Sequence, residues 1–279
     1  MSAGAVDSHP VVTAMARTSA IGQTMRLTRP LYTQRMCCFS GRVENVDSTK
    51  IFARPVGAGR QILVYQMKLA ASAEVAMILP IPVPPRSSET AVRFISLEAY
   101  PDLFDDIDSA FPRQMCPPQA KLAVHAVGAF VASFVPSLAE FSRLDRRFQI
   151  PPGTLDRMPI YSDWGFAVFQ LRATRSLETI HPMAFELPTR SDQLFFPTVH
   201  VHDGTLPDTA TFSHELYAQH VVTGPGKSWW PSGRPLGTRV DPARAANVID
   251  PAASVAKLSL FGRLPNVDTW AAIAPAFAP

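Results

Sequence analysis

Proline sets the first limit on how this chain can fold. It occurs 27 times against 14 glycines. Proline fixes φ and donates no backbone hydrogen bond, so it is confined to strand edges, strand ends and loops, and it interrupts helices. Long helices are thereby disfavoured, and short strands joined by ordered loops fit better. At 279 residues the chain has enough sequence for one large domain or two of ordinary size. Hydrophobic residues make up 47% and charged residues 18%, the balance of a globular, lightly charged protein.

The net charge of +3 is too small to call for nucleic acid or an anionic membrane as a partner. No apolar run reaches the roughly 18–20 residues that span a bilayer. The first 35 residues lack the compact apolar core of a secretory signal. Asp7 is their only acid, and Arg17, Arg26, Arg29 and Arg35 give them a basic character shared by transit peptides and loose bacterial leaders. Three cysteines, with Cys37 and Cys38 adjacent and Cys116 distant, do not form a disulfide framework. The default setting is reducing and cytoplasmic.

Residues 1–30 read as a flexible tail. "TKIFARPV" and "RQILVYQMKLAA" are β-rich runs separated by Gly57 and Gly59, the pattern of a hairpin. "VAMILPIPVPP" is an apolar run ended by its prolines, and "AVRFISLEAY" is another strand candidate. "PDLFDDIDSAF" has helical spacing at Leu103, Phe104, Ile107 and Phe111. "PRQMCPPQ" reads as a boundary. The next stretch, through "AVGAFVASFVPSLAEFSRL", fits either a strand pair or a buried helix followed by a short one. "PIYSDWGFAVFQLRA", "HPMAFELP" and "LFFPTVHV" return to strand character. These boundaries predict a first β unit over 36–115, a second over 120–223, and a C-terminal wrapping segment over 224–279. That last segment has few strand signals, and Trp229, Trp230, Leu260, Phe261 and Trp270 are its expected anchors.

The halves can be laid side by side at an offset near one hundred residues. Tyr65-Gln66 then matches Phe169-Gln170, Lys68 matches Arg172, and Leu79-Pro80 matches Leu187-Pro188. The pattern suggests an internal duplication of a three-strand unit, although β-rich sequences also share such patterns by chance. In this alignment Ser96 and Glu98 stand where His200 and His202 stand, so only one copy carries imidazoles.

"FFPTVHVHDG" holds the candidate chemistry. In a strand, residues i and i+2 point to one side, so His200 and His202 can share a metal ion. Four of the seven histidines lie within 200–220. His214 is the expected third ligand, and Asp203 or Glu215 supplies an oxygen ligand or a general base. If "FSHELYAQHVV" is a strand, His214 and His220 share a face; if it is a helix, they lie nearly opposite. The ion would be zinc, iron or copper, with an open position to activate water or dioxygen. The plainer reading is a hydrogen-bonded pair of histidines at a strand end.

Cys37 is a second candidate, as a ligand or nucleophile beside Arg35 and Arg42; a small buried hydrophobe is the commoner role. His125, among apolar residues, reads as a core histidine, and His181 as a strand-start residue. Arg143, Asp145, Arg146 and Arg147 suit a carboxylate or phosphate, or simply a solvated face. "GPGKS" is not a P-loop, because Val221 stands where the first glycine is required.

The Cys37-Cys38 start, followed by hairpins ending in "VAMILPIPVPP", resembles bacterial proteins known as a domain of unknown function. Those begin with cysteines and carry an apolar strand closing in an L-P-x-P run. The likeness covers residues 36–112 and implies a β-rich domain without naming an activity. Taken together, the sequence predicts a mainly β (α+β) fold of two related antiparallel units with a few helices. Its leading functional reading is a metal-binding protein, of hydrolase or oxygenase type if an enzyme, acting on a small-molecule or peptide substrate. The alternative is a non-catalytic binding or protein-interaction module of β-sandwich type. Either reading allows a homo-oligomer.

Overall fold

The computed structural model describes residues 38–57, 59–112, 131–150, 153–154, 158–201, 206–224 and 228–277. These lie in one compact unit, Thr33–Pro279. The fold is mainly β, with several antiparallel sheets, as the sequence predicts.

The first half supplies β1 (Cys38–Phe39), β2 (Asn45–Pro55), β3 (Arg60–Ala70), β4 (Val75–Ile81) and β5 (Arg93–Ser96). They are followed by the helix α1 (Leu103–Asp108) and by β6 (Val131–Val135). The second half supplies β7 (Gly165–Leu171), β8 (Glu178–Thr179), β9 (Met183–Pro188), β10 (Gln193–Phe196) and β11 (Thr209–Ala218). The C-terminal segment adds β12 (Trp230–Pro235), β13 (Ser254–Pro265) and β14 (Thr269–Ala272).

The largest sheet runs β12-β13-β11-β2-β3-β9-β5, with β8 beside β3. All its pairings are antiparallel except β11 with β2. A second sheet runs β1-β4-β7-β6, and β10 pairs with β14. The β2–β3 hairpin turns through Gly57 and Gly59, whose φ values of +80° and +65° favour glycine. The two halves interleave: β3 pairs with β9, and β4 with β7. The strands matched in the sequence comparison thus meet crosswise in two sheets.

Strand alternation sorts the core into layers. Ile51, Leu63, Tyr65 and Leu216 of the large sheet face Met77, Leu79 and Phe169 of the smaller one, forming the central core. The opposite face of the large sheet presents Phe52, Val64, Tyr217 and Val255 to α1, which buries Leu103, Phe104 and Ile107 as its spacing predicts. The outer face of the smaller sheet, with Ile78, Phe166 and Val168, is covered by Phe148, Tyr161, Val199 and Val201.

Three expectations change. The C-terminal segment is not a strand-poor wrap: β13 is a 12-residue strand inside the large sheet. Trp230 and Phe261, expected as anchors, are 71% and 56% exposed, whereas Trp229 is buried against Phe196. The ambiguous stretch after residue 112 resolves at its end into β6 and a 3-10 turn, Leu138–Arg143, while residues 113–130, including Cys116 and His125, lie outside the described residues. No helix among the described residues is long and apolar enough to cross a membrane.

Candidate functional site

The "FFPTVHVHDG" stretch is only partly a strand. Strand β10 ends at Phe196, and Pro197 follows. From Thr198 to Val201 the chain is extended but paired with no strand. Side chains from the β13–β14 turn hold it instead. Asn266 Oδ1 accepts the His200 N–H at 2.7 Å, and Asn266 Nδ2 donates to the His200 carbonyl at 2.8 Å and to the Pro207 carbonyl at 2.9 Å. Asp268 Oδ1 accepts the N–H groups of Thr198 at 3.0 Å and Val199 at 3.2 Å. Tyr161 Oη donates to Asp268 Oδ2 at 2.7 Å, and Thr198 Oγ1 donates to the Val267 carbonyl at 2.9 Å. Two short side chains thus replace a neighbouring strand and satisfy backbone groups that burial would otherwise leave unpaired.

This strap separates its side chains as strand parity requires. Val199 and Val201 turn to the smaller sheet. His200 turns the other way and stacks 4.3 Å from Phe212 and 5.0 Å from His214, ring centre to ring centre. Both histidines are 1% exposed. His214 Nδ1 has no hydrogen-bond partner among the described residues. Burial, and then the neighbouring His200, hold the His214 ring well below the usual imidazole range, so it is neutral. The Asp268 carboxyl is pushed up to about 6 by burial, against the lowering effect of its three donors.

Asp268 and Tyr161 also line a cavity of about 10 Å³, with Cys38, Pro197, Val199 and Val201. That is roughly the room one water needs; it is not a substrate pocket. Cys38 is buried.

Glu215 does not join the histidines. Successive residues of β11 face opposite sides of the sheet, and Glu215 lies on the α1 side. There Tyr217 Oη is 2.5 Å from Asp108 Oδ1 and 2.6 Å from Glu215 Oε2. Lys257 Nζ lies 3.0 Å from Asp108 and 2.7 Å from Glu215, and Lys50 Nζ lies 2.7 Å from Asp108. His220 also stands apart. It follows β11 with φ +60°, pairs with Asp250 at 3.0 Å and stacks on Phe277. His202, Asp203 and Cys37 lie outside the described residues. Arg143 and Arg147 are engaged by acids, Arg143 by Glu89 and Glu140 and Arg147 by Asp145 and Glu74. This arrangement is a solvated charged face.

The metal-dependent reading is therefore corrected. Among the described residues no group of three or more His, Cys, Asp or Glu could hold a metal ion. The His200–His214 pair is walled by Phe212, and its nearest sequence carboxylate, Glu215, points through the sheet to a cationic cluster. Sequence reasoning missed Asn266, Asp268 and Tyr161. The available signal was "PNVDT", two Asx residues one apart between strand-like runs, the composition of a turn whose side chains cap backbone groups.

No family model and no curated protein matches the chain. Solved structures do. The crystal structure of baculovirus P35 matches with a TM-score of 0.50 and 11% identity, over 85% of this chain and 100% of that one. A mutated baculovirus P35 after caspase cleavage matches with a TM-score of 0.46 and 12% identity, over 81% and 99%. The caspase-8/P35 complex matches with a TM-score of 0.41 and 11% identity, over 81% and 96%. What the chain shares with baculovirus P35 is its fold.

Proposed function

We propose that the chain is a non-catalytic protein-interaction module that binds a caspase. The observation that carries this reading is the extent of the fold likeness: all of P35 is covered by this chain. P35 itself is known in complex with caspase-8 and in a form cleaved by a caspase. The packing around His200 is that of a closed interior cluster. The histidines line a sealed wall, and the adjoining cavity admits about one water.

The test is to mix the purified chain with active caspase-8 and separate the mixture by gel filtration, with gel electrophoresis of each fraction. A complex that co-elutes, with or without a cut in this chain, supports the reading. Separate elution of two intact proteins at tens of micromolar overturns it.

A further inference from the structure

The long strand β13 leaves part of the large sheet open. On its inner side it pairs with β11 from Ala256 to Pro265. On its outer side it meets β12 only at Ser254, Ala256 and Lys257, with Trp230 opposite Lys257. Beyond Lys257, no strand among the described residues pairs with that outer side. Ser259, Phe261 and Arg263 are exposed there.

Antiparallel alternation fixes which backbone groups face outward. The Val255 N–H donates to Ser232 Oγ of β12 at 3.2 Å, so odd-numbered residues of β13 point their N–H and C=O toward that side. Ser259 and Phe261 therefore offer two rungs that no strand among the described residues fills. Gly262, with φ +83°, then breaks the regular strand. Trp230 and Phe261 stand on the same face of the sheet, at the two ends of this gap. Four residues at about 3.3 Å each put them roughly 13 Å apart. Exposed backbone rungs between two exposed aromatic side chains are the features by which an extended peptide adds to a sheet.

The charge of the edge selects the occupant. Strands β12 and β13 carry Arg234, Lys257 and Arg263 and no acid. Lys257 is engaged by Asp108 and Glu215, while Arg263 makes no ion pair among the described residues. A second copy is disfavoured. Antiparallel self-pairing that uses both rungs sets Ser259 against Phe261, and so sets Lys257 against Arg263 twice, with like charges directly opposite. We propose that the open half of β13 is a strand-addition site for a short extended segment of a partner protein, acidic on the face shared with Lys257 and Arg263 and apolar on the opposite face shared with Leu258 and Leu260. This site is separate from the caspase-binding reading and does not depend on it.

Two capped eight-residue peptides test it, one alternating Val and Glu and the other Val and Lys. Binding is followed by amide chemical shifts and hydrogen exchange of the full chain. The Val–Glu peptide is expected to shift and protect the Ser259 and Phe261 amides, and the Val–Lys peptide to bind at least about 10-fold more weakly. Ser259→Pro removes one outward N–H at a place where an edge strand tolerates proline, and is expected to abolish the shifts. Arg263→Glu leaves the backbone intact and is expected to reverse the peptide preference, with caspase-8 co-elution unchanged. Equal affinity for both peptides, shifts confined to other strands, or a concentration-dependent dimer lost in Ser259→Pro would each overturn the proposal.

Discussion

The side chain of Asn266 pairs with the backbone of His200 on both sides, accepting its N–H at 2.7 Å and donating to its carbonyl at 2.8 Å. An amide side chain has the same donor and acceptor as a peptide group, so Asn266 acts as a one-residue neighbouring strand. It fixes the strap over the His200–His214–Phe212 cluster and also holds the Pro207 carbonyl.

Replacing Asn266 by alanine removes these three bonds from the buried backbone at His200 and Pro207. At about 1 kcal/mol for each net bond, the cost is about 2–4 kcal/mol. Urea unfolding of Asn266→Ala should show this as a lower midpoint at unchanged slope. Asn266→Asp keeps the acceptor, loses the donor and should fall between.

Asp268 contributes a pH dependence of defined sign. Its folded carboxyl titrates near 6, above the ordinary value of 3.8, so the folded state holds the proton more tightly than the unfolded chain. Between about pH 4 and 6 the unfolded state binds fewer protons, and stability falls as pH rises. About two pH units correspond to a cost on the order of 3 kcal/mol, fully present above pH 6. Asp268→Asn is uncharged throughout. Its stability relative to the parent should rise across this window and level off above it.

His214 acts in the opposite direction. Burial keeps its ring neutral in the folded state, while the unfolded chain takes up a proton below about pH 6.5. Stability from this residue is full above that value and is lost as pH falls, by up to about 1.4 kcal/mol per pH unit. His214→Phe, which extends the Phe212 stack, should flatten the acid limb of the stability–pH curve. An unchanged acid limb would show that the ring is not sealed.

Lys257 is shared by Asp108 and Glu215, and Tyr217 bridges the same two carboxylates. Burial raises the Asp108 carboxyl, but Lys50, Tyr217 and Lys257 bring it below its usual value. Lys257→Met leaves two carboxylates close together on one phenol. The expected loss is about 1–3 kcal/mol at pH 7, since the cluster is partly solvated. Protonation relieves the repulsion, so the gap between variant and parent should narrow as pH is lowered toward 4.

The fold was largely legible where pattern and punctuation agreed. The β2–β3 hairpin followed from two β-rich runs around Gly57 and Gly59, and α1 from the spacing of Leu103, Phe104 and Ile107. The strand β13 was not legible. "SVAKLSLFGRLP" alternates weakly because one of its edges is open and much of its surface is wet, so burial imposed no clean period. The proposed site was misread for a related reason. The His-x-His parity was read as a convergence of ligands, but parity gives only the face. That the face is a closed aromatic wall, held by Asn266 from 66 residues away, is a tertiary fact. Glu215 shows the same limit: its neighbour His214 faces the core while it faces α1.

The central proposal is that this chain, which shares the P35 fold, binds a caspase. Calorimetric titration of the full chain into caspase-8 tests it most directly. The account predicts a saturable complex near one to one, with Kd at or below about 1 μM, equivalent to about −8 kcal/mol. No heat of binding and no complex with the protein at 100-fold that concentration would contradict it.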